Sequence, residues 1–378
     1  MSRMTMWAVV ALLSVPAAMN ASPVDLTAAD WSVQYMIDQS QTVLGQDQWT
    51  APRDNRGLAI SPDGRYLYAG YNNGPEVRKL DLSEADYTSA TVARTTVSRG
   101  KAIAVDDMGR VYLAEAGAIK IMDPNLSTVL YTISGSGIVT KTEGVAVRRE
   151  EGTLVVYNTE RGAPNTLTRW ELTEDGSTIT GAVRAGLDGD GVVTVAGASD
   201  MRGVAVDGDG RIWIADPQAT TGTGKVFRLD ADGGGLISAD VGNPYAIAFN
   251  GSEVLVTGGY QRLITVLDED LIETPWTFTV PWSTLELDPD GNGDVGSLTG
   301  IVMRPDEPGF YVTNEAGQTA DEKSTYGVPD SYSGWVGEEY YTALGHDDND
   351  PILHLTPEPA TLSLLGLGAM ALIRRRRR

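Results

Sequence analysis

The sequence contains no cysteine among its 378 residues. Disulfides, thiolate metal ligands and cysteine nucleophiles are therefore excluded. Histidine is nearly absent: His346 and His354 are the only two, both late in the chain. A Ser-His-Asp mechanism would need one of them beside a serine in a strained turn, and no G-x-S-x-G stands in the sequence. His354, within Leu353-His354-Leu355, reads as a strand side chain. Basic residues are also scarce, 29 against 51 acidic, for a formal net charge of −22. So acidic a chain repels nucleic acid and anionic membrane surfaces, so no nucleic-acid partner is expected. It suits an exported protein that stays soluble and meets cations.

What is abundant is glycine, 43 residues, and one recurring hairpin. The clearest copy is Arg202 to Asp216, RGVAVDGDGRIWIAD. A small, β-branched run (Gly203–Val206) meets the turn Asp207-Gly208-Asp209-Gly210. A second run, Arg211–Ala215, stops at Asp216. Echoes begin at Arg56, Lys101, Glu143, Tyr245 and Thr299, so the six starts lie 45, 42, 59, 43 and 54 residues apart. A period in the forties built of short strands points to propeller blades. Each copy ends in a third strand-like run: Glu76–Leu80, Ile119–Met122, Thr166–Leu172, Lys225–Leu229, Leu263–Leu267 and Ile352–Leu355. The expected fold class is all-β, a six-bladed β-propeller over residues 31–355, preferred to a β-sandwich with repeated hairpins because one pattern recurs six times. Trp31–Met36 alternates and is expected to close the ring as an extra strand in the last blade. Insertions at Thr173–Met201 and around Asp288–Asp294 are expected to emerge as loops. Tyr326, Tyr332, Trp335, Tyr340 and Tyr341 mark a long polar segment that would either stack on sugars or pack onto the body.

Two constellations could carry chemistry. Asp288, Asp290, Asn292 and Asp294, with Gly293 at the sixth position, match an oxygen-rich calcium loop, although Thr299 stands where a bidentate glutamate belongs. Calcium is the expected cofactor if that loop is a site; the plainer reading is a solvated turn. The second constellation comes from aligning the repeats. Their starts place Arg56, Lys101, Glu143, Arg202, Tyr245 and Thr299 at one level. Their second-strand ends place Gly70, Glu115, Asn158, Asp216, Gly258 and Asn314 at another. Antiparallel pairing brings both levels to one mouth of the channel. Glu115, Asn158, Asp216 and Asn314 could hold a divalent cation there, and Arg56, Lys101 and Arg202 an anion. The alternative is that these residues cap turns and pair with one another across blades.

Gly210-Arg211-Ile212-Trp213-Ile214-Ala215-Asp216 resembles the hairpins of NHL-repeat and SMP-30/gluconolactonase-like propellers, over about residues 56 to 316. The lactonase-like resemblance implies a metal at the channel mouth, with Glu143, Asn158, Asp216 and Asn314 as the nearest equivalents, and metal-assisted opening of a sugar lactone. Glycine at the shared position in two repeats departs from that pattern.

The ends bear on cell biology. Residues 1–21 read as a signal peptide: Arg3, then the apolar Trp7–Val15, then small residues at Ala17, Ala18 and Ala21. Residues 356–378 contain Pro357-Glu358-Pro359, an apolar run at 361–373 and the arginines 374–378. The run is short for a membrane span, and terminal arginines stay on the cytoplasmic side, so translocation stalls with the body outside. Those three parts in that order resemble the PEP-CTERM sorting signal. The resemblance implies an exosortase-type partner, cleavage near Pro357-Glu358-Pro359, transient inner-membrane anchoring through a short transmembrane helix, and release to the cell surface or beyond. A simple C-terminal anchor differs only in keeping the tail. The expected function is a surface or matrix module that binds a ligand, an exopolysaccharide or a protein. The alternatives are a metal-dependent lactonase-like hydrolase and a structural matrix component.

Overall fold

The computed structural model describes residues 31–37, 352–357 and 53–315, the last apart from 74–75, 84–90, 99, 136–141, 163, 219–223, 259–262, 272, 280–296 and 306–308. The signal-peptide segment 1–21, the loop Asp288–Asp294, the aromatic segment and the apolar run 361–373 lie outside the described residues. Among the described residues there is no α-helix, and no helix long and apolar enough to cross a membrane.

The fold is an all-β propeller. Strand β1 is Trp31–Ile37. A first sheet holds β2 (Arg53–Ile60), β3 (Tyr66–Asn73), β4 (Glu76–Asp81) and β5 (Thr91–Thr96). A second holds β6 (Ile103–Val105), β7 (Val111–Glu115), β8 (Ala118–Met122) and β9 (Val129–Ser134). The third has five strands, β10 (Thr142–Glu150), β11 (Thr153–Glu160), β12 (Thr166–Asp175), β13 (Thr178–Arg184) and β14 (Val192–Thr194). The fourth holds β15 (Val204–Val206), β16 (Ile212–Asp216), β17 (Lys225–Leu229) and β18 (Ile237–Asp240). The fifth holds β19 (Pro244–Asn250), β20 (Glu253–Gly258), β21 (Leu263–Leu267) and β22 (Glu273–Thr279). These five blades are each wound from consecutive strands. The remaining sheet is composite. It joins β23 (Ser297–Met303), β24 (Phe310–Glu315) and β25 (Ile352–Pro357) to β1, in the order β1-β25-β24-β23.

The N-terminal strand therefore lies where the alternation of Trp31–Met36 places it, antiparallel to β25 with Trp31 opposite Pro357. Two details depart from the sequence reading. The insertion after the third repeat contributes two strands rather than only loop: β13 and β14 both pair with β12, around a 3-10 turn at Leu187–Gly189. Strand β25 runs past residue 355 to Pro357, so the body and the sorting segment share Thr356 and Pro357.

Two of the hairpin turns are locked by their own sequence in the same way. Asp207 Oδ1 accepts the backbone N–H of Asp209 (3.0 Å) and Arg211 (2.9 Å), while Oδ2 accepts Arg211 Nε (2.7 Å) and Trp213 Nε1 (2.9 Å). Gly210 at φ 88° supplies the left-handed residue the turn needs. Asp106 repeats the arrangement, with Oδ1 on Met108 and Arg110 N–H and Oδ2 on Arg110 Nε and the Tyr112 hydroxyl. One carboxylate thus fixes a turn, an arginine and a buried aromatic ring together.

Packing lies between sheets rather than around the axis. Tyr112 and Ile121 meet Val145 and Val156; Trp213 meets Ile247 and Val256; Tyr311 and Ile352 meet Leu58 and Leu67. Fully burying each such side chain contributes about 1.5–3 kcal/mol. The innermost strands β2, β6, β10, β15, β19 and β23 contact one another in a closed cycle. Glycine lets them approach: a Cβ on Gly203 would lie 2.5 Å from the Tyr245 carbonyl oxygen, and one on Gly144 2.5 Å from that of Arg202. Each innermost strand pairs on one side only, which leaves its other edge to the axis.

Candidate functional site

Those six edges enclose a cavity of about 390 Å³, lined by 56–60, 101–105, 143–147, 202–206, 245–249 and 299–303. Its two ends differ. At the far end the runs finish in Ile60, Val105, Val147, Val206, Phe249 and Met303, all half-buried and all apolar. At the near end they begin with Arg56, Lys101, Glu143, Arg202, Tyr245 and Thr299, the level that the aligned repeats predicted. We call this end the collar face and the opposite one, where the Asp207-type hairpins lie, the turn face.

At the collar, Lys101 Nζ lies 3.1 Å from Glu143 Oε1, and Arg202 Nη1 3.9 Å from Glu143 Oε2. Arg202 Nη2 donates to Asp200 Oδ2 at 2.8 Å, and Arg161 Nε lies 2.5 Å from Asp200 Oδ1. The guanidinium carbons of Arg202 and Arg56 sit 5.3 and 6.0 Å from the Tyr245 ring centre. Four cations thus gather around two carboxylates in a chain that is acidic overall. Arg202 is 8 % exposed, yet its Nε and Nη1 are buried without a hydrogen-bond acceptor. At 3.9 Å the Glu143 oxygen is too far to serve as one. Burial pushes the Lys101 ammonium below its usual range; Glu143 draws it back up, and Arg56 and Arg202 push it down again. An added anion would relieve both the orphaned N–H groups and this crowding of positive charge.

The expected cation ligands are not brought together. Glu115 accepts Ser98 N–H at 2.8 Å and the Ser98 hydroxyl, and pairs with Lys120 Nζ at 2.8 Å. Asp216 accepts the N–H groups of Ser199 (2.6 Å), Asp200 (3.1 Å) and Gln218 (3.0 Å). Asn158 accepts Trp170 Nε1 at 2.8 Å and donates to Glu160 at 3.1 Å. All three are buried latches holding loops or neighbouring strands, and none lines the cavity. Asn314 falls at the end of β24, opposite Leu298. Glu143 lines the cavity but faces Lys101 and Arg202. Among the described residues no group of three or more His, Asp or Glu side chains could hold a metal ion. Tyr245 and Asp200 were missed as partners of the arginines. The repeat alignment could have flagged Tyr245, as the aromatic residue in a charged column.

Residues 355–378 match the PEP-CTERM protein-sorting motif. The motif implies export, C-terminal membrane anchoring and processing by an exosortase-type system. No curated protein matches the chain. Among solved structures, a luciferin-regenerating enzyme is 12 % identical, with a TM-score of 0.52 over 86 % of this chain and 96 % of that one. A streptogramin B lyase is 12 % identical, at 0.49 over 87 % and 98 %. A protein of unknown function from Bacteroides caccae is 15 % identical, at 0.45 over 68 % and 83 %. At such identities the likeness to the first is one of fold alone. The chain is thus a β-propeller protein that carries a PEP-CTERM protein-sorting motif at its C-terminus.

Proposed function

We propose that the protein is an exported binding module whose propeller captures an acidic glycan at the collar. The observation that carries this reading is Arg202, with two buried N–H donors left without acceptors at the mouth of the cavity. A sugar carboxylate would take those donors, with Lys101 and Arg56 beside it and Tyr245 as an apolar surface for the ring. The open strand edges offer alternating N–H and C=O groups to sugar hydroxyls. In this reading the composite sheet is a sixth blade, and β1 closes the ring by pairing with β25. The dispersal of Glu115, Asn158 and Asp216 into separate latches makes metal-assisted lactone opening the weaker reading. Calcium at Asp288–Asp294 is a separate proposal, tested by calorimetry on Asp290→Ala.

Calorimetry with oligogalacturonate and with a neutral oligosaccharide of equal length tests the collar. Binding of the acidic sugar alone, lost in Arg202→Met, is the expected result. Equal binding of both sugars, no binding of either, or binding unaffected by Arg202→Met would overturn it.

A further inference from the structure

The last strand decides by which face the chain leaves the propeller. In the composite sheet, Met303 at the turn-face end of β23 pairs with Phe310, and Phe310 pairs with Leu355. Strand β25 therefore starts on the collar face, with Ile352 opposite Thr313, and runs out through the turn face at Pro357. Trp31, opposite Pro357, enters from the same side. The sorting motif begins at residue 355, inside this strand. Only Glu358, Pro359 and Ala360 separate Pro357 from the apolar run at 361. Four Cα steps span at most about 15 Å, and the headgroup layer on one side of a bilayer takes up about 5–7 Å of that.

We infer that, while its C-terminal segment is inserted, the propeller lies with the turn face against the lipid headgroups and the collar face directed away from the membrane. The tether leaves no room for the opposite orientation: a propeller turned over would have to carry the outgoing chain from the turn face around its own body, much farther than 15 Å. The anchored protein thus presents the cavity mouth outward before processing, and cleavage after Pro357 frees the body without cutting the closing strand. On the turn face the exposed carboxylates of Asp107 and Asp209 are paired with Arg149 and Arg211, and the proximity inferred here comes from the tether.

The cysteine-free sequence makes the test direct. Ser252→Cys lies in the β19–β20 turn on the turn face, in the sheet next to the composite one; Ala116→Cys lies in the β7–β8 turn on the collar face; both positions are exposed. The full-length variants are reconstituted in phosphatidylethanolamine/phosphatidylglycerol vesicles, with flotation as the measure of insertion. They are then treated with a maleimide on a polymer too bulky for the gap. Ser252→Cys is expected to react roughly tenfold more slowly than Ala116→Cys, the factor given by exclusion from nine-tenths of the anchored population. The two rates should converge in a chain ending at Ala360. Equal rates in vesicles, a slower Ala116→Cys, or a full-length chain that does not float would each overturn the inference. None of these outcomes bears on the glycan reading, which is tested on the soluble body.

Discussion

Asp207 on the turn face and Arg202 on the collar face are equally buried, at 8 % exposure each, and they are treated in opposite ways. The Asp207 carboxylate receives four hydrogen bonds from its own hairpin. Burial pushes its carboxyl up, but the bonds from Trp213 and Arg211 outweigh this and hold it below the usual carboxylate range. Arg202 has one strong partner, Asp200, and two N–H groups with none. The difference teaches where the fold has consumed its polar capacity and where it has left some over. A satisfied buried charge is structural; a buried charge with spare donors beside a cavity calls for an explanation, which the proposed function supplies as a ligand.

This comparison can be broken most severely at Asp207. Asp207→Ala strands the Trp213 and Arg211 donors and should cost about 3 kcal/mol, read by urea unfolding. Asp207→Asn should cost less, since it keeps an acceptor. Next comes Gly203→Ala, whose Cβ would meet the Tyr245 carbonyl at 2.5 Å. Forcing two inner strands apart should cost about 2 kcal/mol in the same assay. Arg202→Met should behave oppositely, changing stability by less than about 1 kcal/mol because the lost Asp200 bond is offset by removal of two orphaned donors. Asp200 keeps Arg161. If instead Arg202→Met destabilises as much as Asp207→Ala, the collar is structural and the contrast fails.

Two smaller effects depend on pH. Lys101 titrates below its ordinary 10.5, burial being the main cause. As pH rises through that lowered value the ammonium is lost, so affinity for an anion should fall before pH 10.5, and binding should take up protons. Ligand-free stability should rise over the same window, because the unfolded chain then holds the extra proton. Lys101→Arg should flatten both trends in calorimetry. On the turn face, the hydrogen bond from Arg65 holds the Asp81 carboxyl at about 2, below 3.8. Its stabilisation is complete above 3.8 and lost as pH falls through about 2. Arg65 is half exposed, so solvent screening keeps the effect small. Asp81→Asn should slightly flatten acid denaturation followed by circular dichroism.

Much of this architecture was legible because it is local. The Asp-x-x-Gly-Arg turns, the aromatic residue two positions after the arginine and the small second position of each inner strand all lie within a dozen residues of one another. The aligned starts identified the collar for the same reason: antiparallel hairpins of equal length bring equivalent positions to one level. The outer strands escaped notice. β9 and β18 are exposed along most of their length and so lack the alternation that marks a half-buried strand. The second-strand ends misled in another way. Glu115, Asn158 and Asp216 do sit at one level, but Ser98 and Ser199–Asp200 fold over the two carboxylates, and Trp170 of the neighbouring strand takes the Asn158 oxygen.

By itself, then, the sequence determined the repeated hairpin, the sorting segment and the common level of Arg56, Lys101, Glu143, Arg202, Tyr245 and Thr299. These follow from turn chemistry, strand pattern and composition, which act over short stretches of chain. Only the tertiary structure decided which charges remain available, which face the last strand leaves by, and the register in which β1 and β25 pair across more than 300 intervening residues. Those outcomes depend on where donors, acceptors and strand ends come to rest in space, and no local rule links residues so far apart in the chain.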